Sequence, residues 1–296
     1  MNTALQCIAT GNTLAEAPLW CADTGSLFWL DIGVPSHLHE WRQHDRRVRF
    51  WGLPELATAL VQARNGELLV VTQSGIQHFD PRSGELQMLA PARSPMHGLR
   101  FNDAGCDRQG RLWVGTMPND FAGVSQGPAG GIWRIDPDLS YHQLAEGFGC
   151  PNTFAWSADD ATLYLADSAS GDIGAYEFDA IEGTLGERRT FAAPRDLGIP
   201  DGSAMDTEGC LWNARWGAGC VARFAPDGSV ISTISVPARQ VTSCAFGGEE
   251  LNTLFITTAN FGLSAASTTR EPLSGAVFSC NPGARGAPTG RFDVAI

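Results

Sequence analysis

Positive charge is scarce in this chain. Lys+Arg number 20 against 32 Asp+Glu, a formal net charge of −12 over 296 residues. A nucleic-acid backbone or an anionic membrane needs a basic footprint, so neither is the expected partner. Paired cysteine motifs are absent too. Cys7, Cys21, Cys106, Cys150, Cys210, Cys220, Cys244 and Cys280 are widely scattered and no C-x-x-C occurs, which excludes a zinc ribbon and a thioredoxin-type site. No segment approaches the ~18 apolar residues of a transmembrane helix. The opening MNTALQCIATGNTLAEAPLW lacks a basic stretch followed by an apolar one, so an export signal is not expected there. A cytoplasmic protein with free thiols is the expectation. Long amphipathic helical patterns and Pro/Ser-rich linkers are also missing, which argues for one domain over residues 1–296.

What the chain does have is turns and short apolar strands. Gly 34 and Pro 17 are high, while charged residues make up only 18%, a balance that favours an all-β fold. Six stretches share one pattern, a small or polar residue followed by an apolar-aromatic strand: GSLFWLDI from Gly25, GELLVVTQSG from Gly66, GRLWVGTM from Gly110, ATLYLADS from Ala161, GCLWNARW from Gly209 and NTLFITTAN from Asn252. Successive starts lie 41, 44, 51, 48 and 43 residues apart. A period of ~40–50 residues with several strands per unit marks a β-propeller blade. Partner strands such as GIQHFDP, GGIWRIDPDLS and GCVARFAPDGS each end in an Asp/Pro/Gly turn that reverses the chain. The expected architecture is a single six-bladed β-propeller, its innermost strands lining a central channel.

Polar residues recur with the same period just upstream of the repeat strands. Glu16 sits in LAEAPLW, Asn102 in RFNDAGCD, Asn152 in CPNTFAWS and Asp201 in IPDGSAMD. Asn102, Asn152 and Asp201 are 50 and 49 residues apart, about one blade each, and Glu16 precedes Asn102 by 86, about two blades. Any one of them alone would be a turn residue. Four in phase would aim oxygen ligands into the channel, a hard donor set suited to Ca²⁺, Mg²⁺ or Mn²⁺, with Fe²⁺ or Zn²⁺ also feasible.

With these motifs on view, the chain resembles the SMP-30/gluconolactonase (regucalcin-like) family over about Leu14 to Thr258. The resemblance rests on EAPLWCADTGSLFWLDI, RFNDAGCDRQGRLWVGTM, PNTFAWSADDATLYLADS, PDGSAMDTEGCLWNARWGAGCVARFAPDG and QVTSCAFGGEELNTLFITTA, five motifs in order. It implies a six-bladed propeller, one divalent metal ion, and hydrolysis of a sugar-acid lactone. It also implies Glu16, Asn152 and Asp201 as metal ligands, Asp201 as general base, and Arg100, Asn102 and Asp120 as substrate contacts. Departures from the family pattern are Asp120 in place of Glu, and Ala17 and Thr153 in place of the Gly that follows each of two ligands. These bear on pocket shape and on which sugar is accepted.

Other readings compete. GVSQG at 123–127 matches G-x-S-x-G around Ser125, but without a strand before and a helix after it a nucleophile elbow is not expected. His37, His39 and His44 suggest a metal cluster on spacing, yet lie in HLHEWRQHDRRVRF, which reads as a solvated blade edge. Trp29, Trp113 and Trp212 read as inter-blade core, and Asp23, Asp107, Asp159 and Asp206 as turn-formers. A hydrolase of non-sugar lactones or organophosphates, and a non-catalytic calcium-binding propeller, are the alternative functions.

Overall fold

Each repeat folds into one four-stranded antiparallel sheet. A computed structural model describes residues 5–8, 10–92, 98–119 and 130–295. The six sheets open with Ala15–Cys21, Ala57–Gln62, Leu99–Cys106, Pro151–Trp156, Ile199–Met205 and Val241–Gly247. Every one of these first strands lies against the first strands of its two neighbours. They therefore form a closed ring around the axis, and the later strands radiate outward as the blades of a six-bladed β-propeller. The sixth blade is completed by the N-terminal strand Leu5–Ile8, which pairs with Val277–Cys280. Pairing the two ends of the chain within one blade closes the ring. Among the described residues no helix is long and apolar enough to cross a membrane.

The repeat strands found in sequence, such as Ser26–Asp31 and Leu112–Pro118, occupy the second position in each blade. They are the most apolar strands because both of their faces are covered. Buried apolar side chains divide into six clusters, one between each neighbouring pair of blades. With the core placed between blades, the axis is left free for polar groups.

Trp29, Trp113 and Trp212 are in that core, each at most 1% exposed. The turn aspartates of blades 3 and 5 do more than shape a turn. Asp107 accepts from the Arg111 backbone N–H (2.9 Å), Arg111 Nε (2.6 Å) and Trp113 Nε1 (2.9 Å). Asp206 likewise accepts from Trp212 Nε1 at 2.8 Å and from Arg223 Nε at 2.9 Å. Each locks a turn to the buried tryptophan of its own blade, and full pairing makes a buried carboxylate tolerable.

His39 departs from the expected solvated edge. It is buried and stacks on Trp29 with ring centroids 4.9 Å apart, and burial pulls its pKa down to about 4. The charged residues around it in sequence hide this inward-facing position. His44 is exposed beside Asp45. Cys21, Cys106, Cys150, Cys210, Cys220, Cys244 and Cys280 are free thiols.

Residues after the last strand run back across the far end of the channel. Ala287 N–H donates to Met205 O, Phe292 N–H to Gln62 O and Asp293 N–H to Gly110 O. This strap floors a cavity of about 350 Å³ on the side away from the site described next.

Candidate active site

Each first strand is interrupted by a β-bulge near its N-terminal end. The pairing register slips between Glu16 and Leu19, Ala57 and Ala59, Phe101 and Ala104, Asn152 and Ala155, Pro200 and Ser203, and Val241 and Ser243. An extra residue at a bulge bends the strand and re-aims its side chains. The polar residues picked out by their period therefore belong to the innermost strands themselves, at or beside the bulges. The sequence pattern puts them just upstream of the repeat strands, which lie one place further out. RFND is accordingly neither a turn nor a lead-in.

The bulges of blades 1, 3, 4 and 5 bring Glu16, Arg100, Asn102, Asn152 and Asp201 to one cavity of about 420 Å³ at the mouth of the channel. Asp120 and Ser125 lie outside the described residues. Close packing fixes the blade 5 bulge, since a Cβ on Gly202 would meet Ser243 Oγ at 2.1 Å. Only glycine fits beside Asp201.

Hydrogen bonds run from blade to blade across this floor. Arg100 Nη1 donates to Phe101 O and to Asn102 Oδ1, both at 2.9 Å. Asn102 Nδ2 donates to Pro151 O at 3.0 Å and to Asn152 Oδ1 at 3.1 Å. Asn152 Nδ2 donates to Ser168 Oγ (2.8 Å), and that hydroxyl donates to Pro200 O (2.6 Å). Asn102, a candidate ligand by its period and a substrate contact by the family resemblance, thus also steadies the amide oxygen of Asn152.

Three polar residues of the cavity lining, Asp103, Thr58 and Ser168, escaped the sequence reading. Asp103 accepts from the backbone N–H groups of Ala104 (2.8 Å) and Thr153 (3.0 Å). Its place directly after Asn102 was the available signal. Thr58, at the blade 2 bulge, is 4% exposed, and among the described residues its hydroxyl has no partner. Nothing in its local sequence, LATALV, marks it out. The upper wall is apolar, with Leu14, Ile32, Ile199, Trp216 and Phe261.

Glu16, Asp103 and Asp201 crowd negative charge into an enclosed space. Burial, and then the charge of Asp103, push Glu16 up to about 8, and burial pushes Asp103 up to about 6. Asp201 is raised well above the usual carboxylate range by burial first, then by Glu16 and Asp103. Raised acids hold protons in the folded chain that the unfolded chain has released. They contribute stability below their unfolded pKa values and lose it as pH rises through the folded ones. In protein stripped of divalent cations, the melting temperature is therefore expected to fall between about pH 4.5 and 8. Glu16→Gln should flatten the upper part of that fall. Calorimetric scans in chelator across this window check it, and a flat wild-type profile would refute the crowding.

Among the described residues no three His, Cys, Asp or Glu side chains form a ligand group. The candidate set is mixed, two carboxylates and the Asn152 amide. Residues 14–260 match the family described as "SMP-30/Gluconolactonase/LRE-like region". The chain belongs to this family. Members of the SMP-30/gluconolactonase family similar to it include pentonolactonase XacC of Haloferax volcanii, 32% identical with 99% of each chain covered. The 6-deoxy-6-sulfogluconolactonase of Pseudomonas putida is 34% identical, over 94% of this chain and 95% of that one. Among solved structures, a regucalcin of Agrobacterium tumefaciens, described as a calcium-binding protein, superposes with a TM-score of 0.89 at 29% identity, covering 99% and 97%.

Proposed function

We propose that this chain is a lactonase that opens the ring of a sugar-acid lactone to the free aldonic acid, with one divalent cation held by Glu16, Asn152 and Asp201. The observation that carries this reading is the convergence of these side chains, with Arg100 and Asn102, on one cavity. The lactonase names of full-length relatives support the reaction class. The residues fit a cation. Three carboxylates share the enclosure, all with pKa values raised first by burial and, for Glu16 and Asp201, also by neighbouring carboxylates, and all the donors are hard oxygens suited to Ca²⁺, Mg²⁺ or Mn²⁺. When bound, such an ion polarises the lactone carbonyl and stabilises the charge that develops on its oxygen.

The chain's own groups do the rest. Asp201 accepts a proton from the water whose oxygen bonds to the carbonyl carbon, and returns it to the ring oxygen as that C–O bond breaks. The product is a hydroxy acid. Arg100 and Asn102 hold ring hydroxyls by charged and amide hydrogen bonds. The Trp216 and Phe261 wall packs against the apolar C–H faces of the sugar and limits the entry of water.

A panel of aldono-1,4- and 1,5-lactones tests the proposal. Hydrolysis of at least one member is expected, lost in chelator and restored by adding back a divalent cation. Full activity in metal-free protein would refute the metal reading. No turnover of any lactone, with cation still bound, would leave a calcium-binding propeller.

A further inference from the structure

Thr153 holds a backbone conformation that a β-branched residue rarely adopts. Its φ is +61°, in the left-handed region where glycine is the usual occupant. It is wholly buried and lies outside the cavity lining. A strained residue persists only where its surroundings over-determine it, and its four polar contacts show what does so here.

The Thr153 N–H donates to Asp103 Oδ2 on blade 3, at 3.0 Å. Its hydroxyl donates to the carbonyl of Asp201 on blade 5, at 2.5 Å. The same oxygen accepts from Asn213 Nδ2 at 3.2 Å and lies 2.9 Å from Ser203 Oγ. Asn213 Nδ2 also donates to Asp201 O at 2.9 Å, and Arg215 Nη1 fixes the Asn213 amide through its Oδ1 at 2.8 Å. Glycine at this position would ease the backbone but lose the hydroxyl. Among the described residues, it is the Thr153 hydroxyl that reaches the Asp201 carbonyl from blade 4.

We propose that Thr153 is a positioning residue that sets the spacing of Asn152 and Asp201, fastening the backbone of one to the backbone of the other so that their side chains meet one cation. This rests on the assignment of Asn152 and Asp201 as ligands. A neighbour that orients a ligand typically accounts for about ten- to a hundredfold in metal affinity.

The test is Mn²⁺ affinity, read by electron paramagnetic resonance of free Mn²⁺, in wild type and in Thr153→Ser, Thr153→Val and Thr153→Ala. Valine keeps the branched shape and the strain while removing the hydroxyl. Alanine serves if valine fails to fold. Serine keeps the hydroxyl. Valine or alanine should weaken Mn²⁺ binding at least about tenfold, with serine close to wild type. Equal affinity in all variants overturns the proposal, as does an equal loss with serine, which would point to packing alone. Wild type that takes up no Mn²⁺ would refute the ligand assignment itself, and this outcome is distinct from the other two.

Discussion

Asp201→Asn is expected to lower kcat/KM on an aldonolactone by about a thousandfold, the middle of the range for a positioned general base. Asparagine keeps the shape and an oxygen donor but cannot take the proton. The loss should therefore fall on kcat more than on KM. The informative comparison is Asp206→Asn, five residues on. Asp206 is 1% exposed and accepts from Trp212 Nε1 and Arg223, so its replacement should lower the melting temperature and leave the folded fraction active. Paired thermal scans and kinetics separate the two. Equal kinetic losses would undo the assignment of Asp201.

Arg100→Ala is expected to cost about ten- to a hundredfold in kcat/KM, the worth of a charge-assisted hydrogen bond of roughly 1.5–3 kcal/mol. The loss should be larger on a polyhydroxylated lactone than on a plain γ-lactone with no hydroxyls to hold. Asn102→Ala should behave differently. Its amide also supports Asn152 Oδ1, so losing it should weaken metal affinity and slow both substrates. Measuring both lactones on both variants, with bound metal assayed in parallel, checks this. The same substrate dependence in the two variants would mean that Asn102 does not act through Asn152.

The propeller was legible because its most buried strands are also its most regular. LFWL, LWVG and LYLA recur with turn residues in front of them, and both of their faces are packed. The innermost strands were harder to see. Their channel faces are polar, and each is broken by a bulge, so LRFNDAGC shows no period-2 pattern and passes for a turn. The period still brought out Glu16, Asn102, Asn152 and Asp201, since the bulges repeat with the blades. Asp103 was masked by its neighbour Asn102. Thr58 carries no charge to draw notice, and His39 was hidden among HLHEWRQHDRR although its ring stacks on Trp29. Local sequence reports the company a residue keeps along the chain, and these positions depend on contacts across blades.

The six bulges also separate what can vary from what must persist. The packing that keeps the blades together lies between them, in strands such as Ser26–Asp31 and Leu211–Trp216. Side chains that face the cavity stand on backbone whose bend is already set. Four blades present Glu16, Asn102, Asn152 and Asp201, whereas blades 2 and 6 present Thr58 and Thr242 at their bulges. Thr242 is committed, donating to Ala15 O at 2.5 Å. Thr58 is uncommitted. Over evolutionary time a substitution at such a position can alter what the cavity accepts with little penalty to folding, so new substrate preferences can arise by drift on a ring that stays the same.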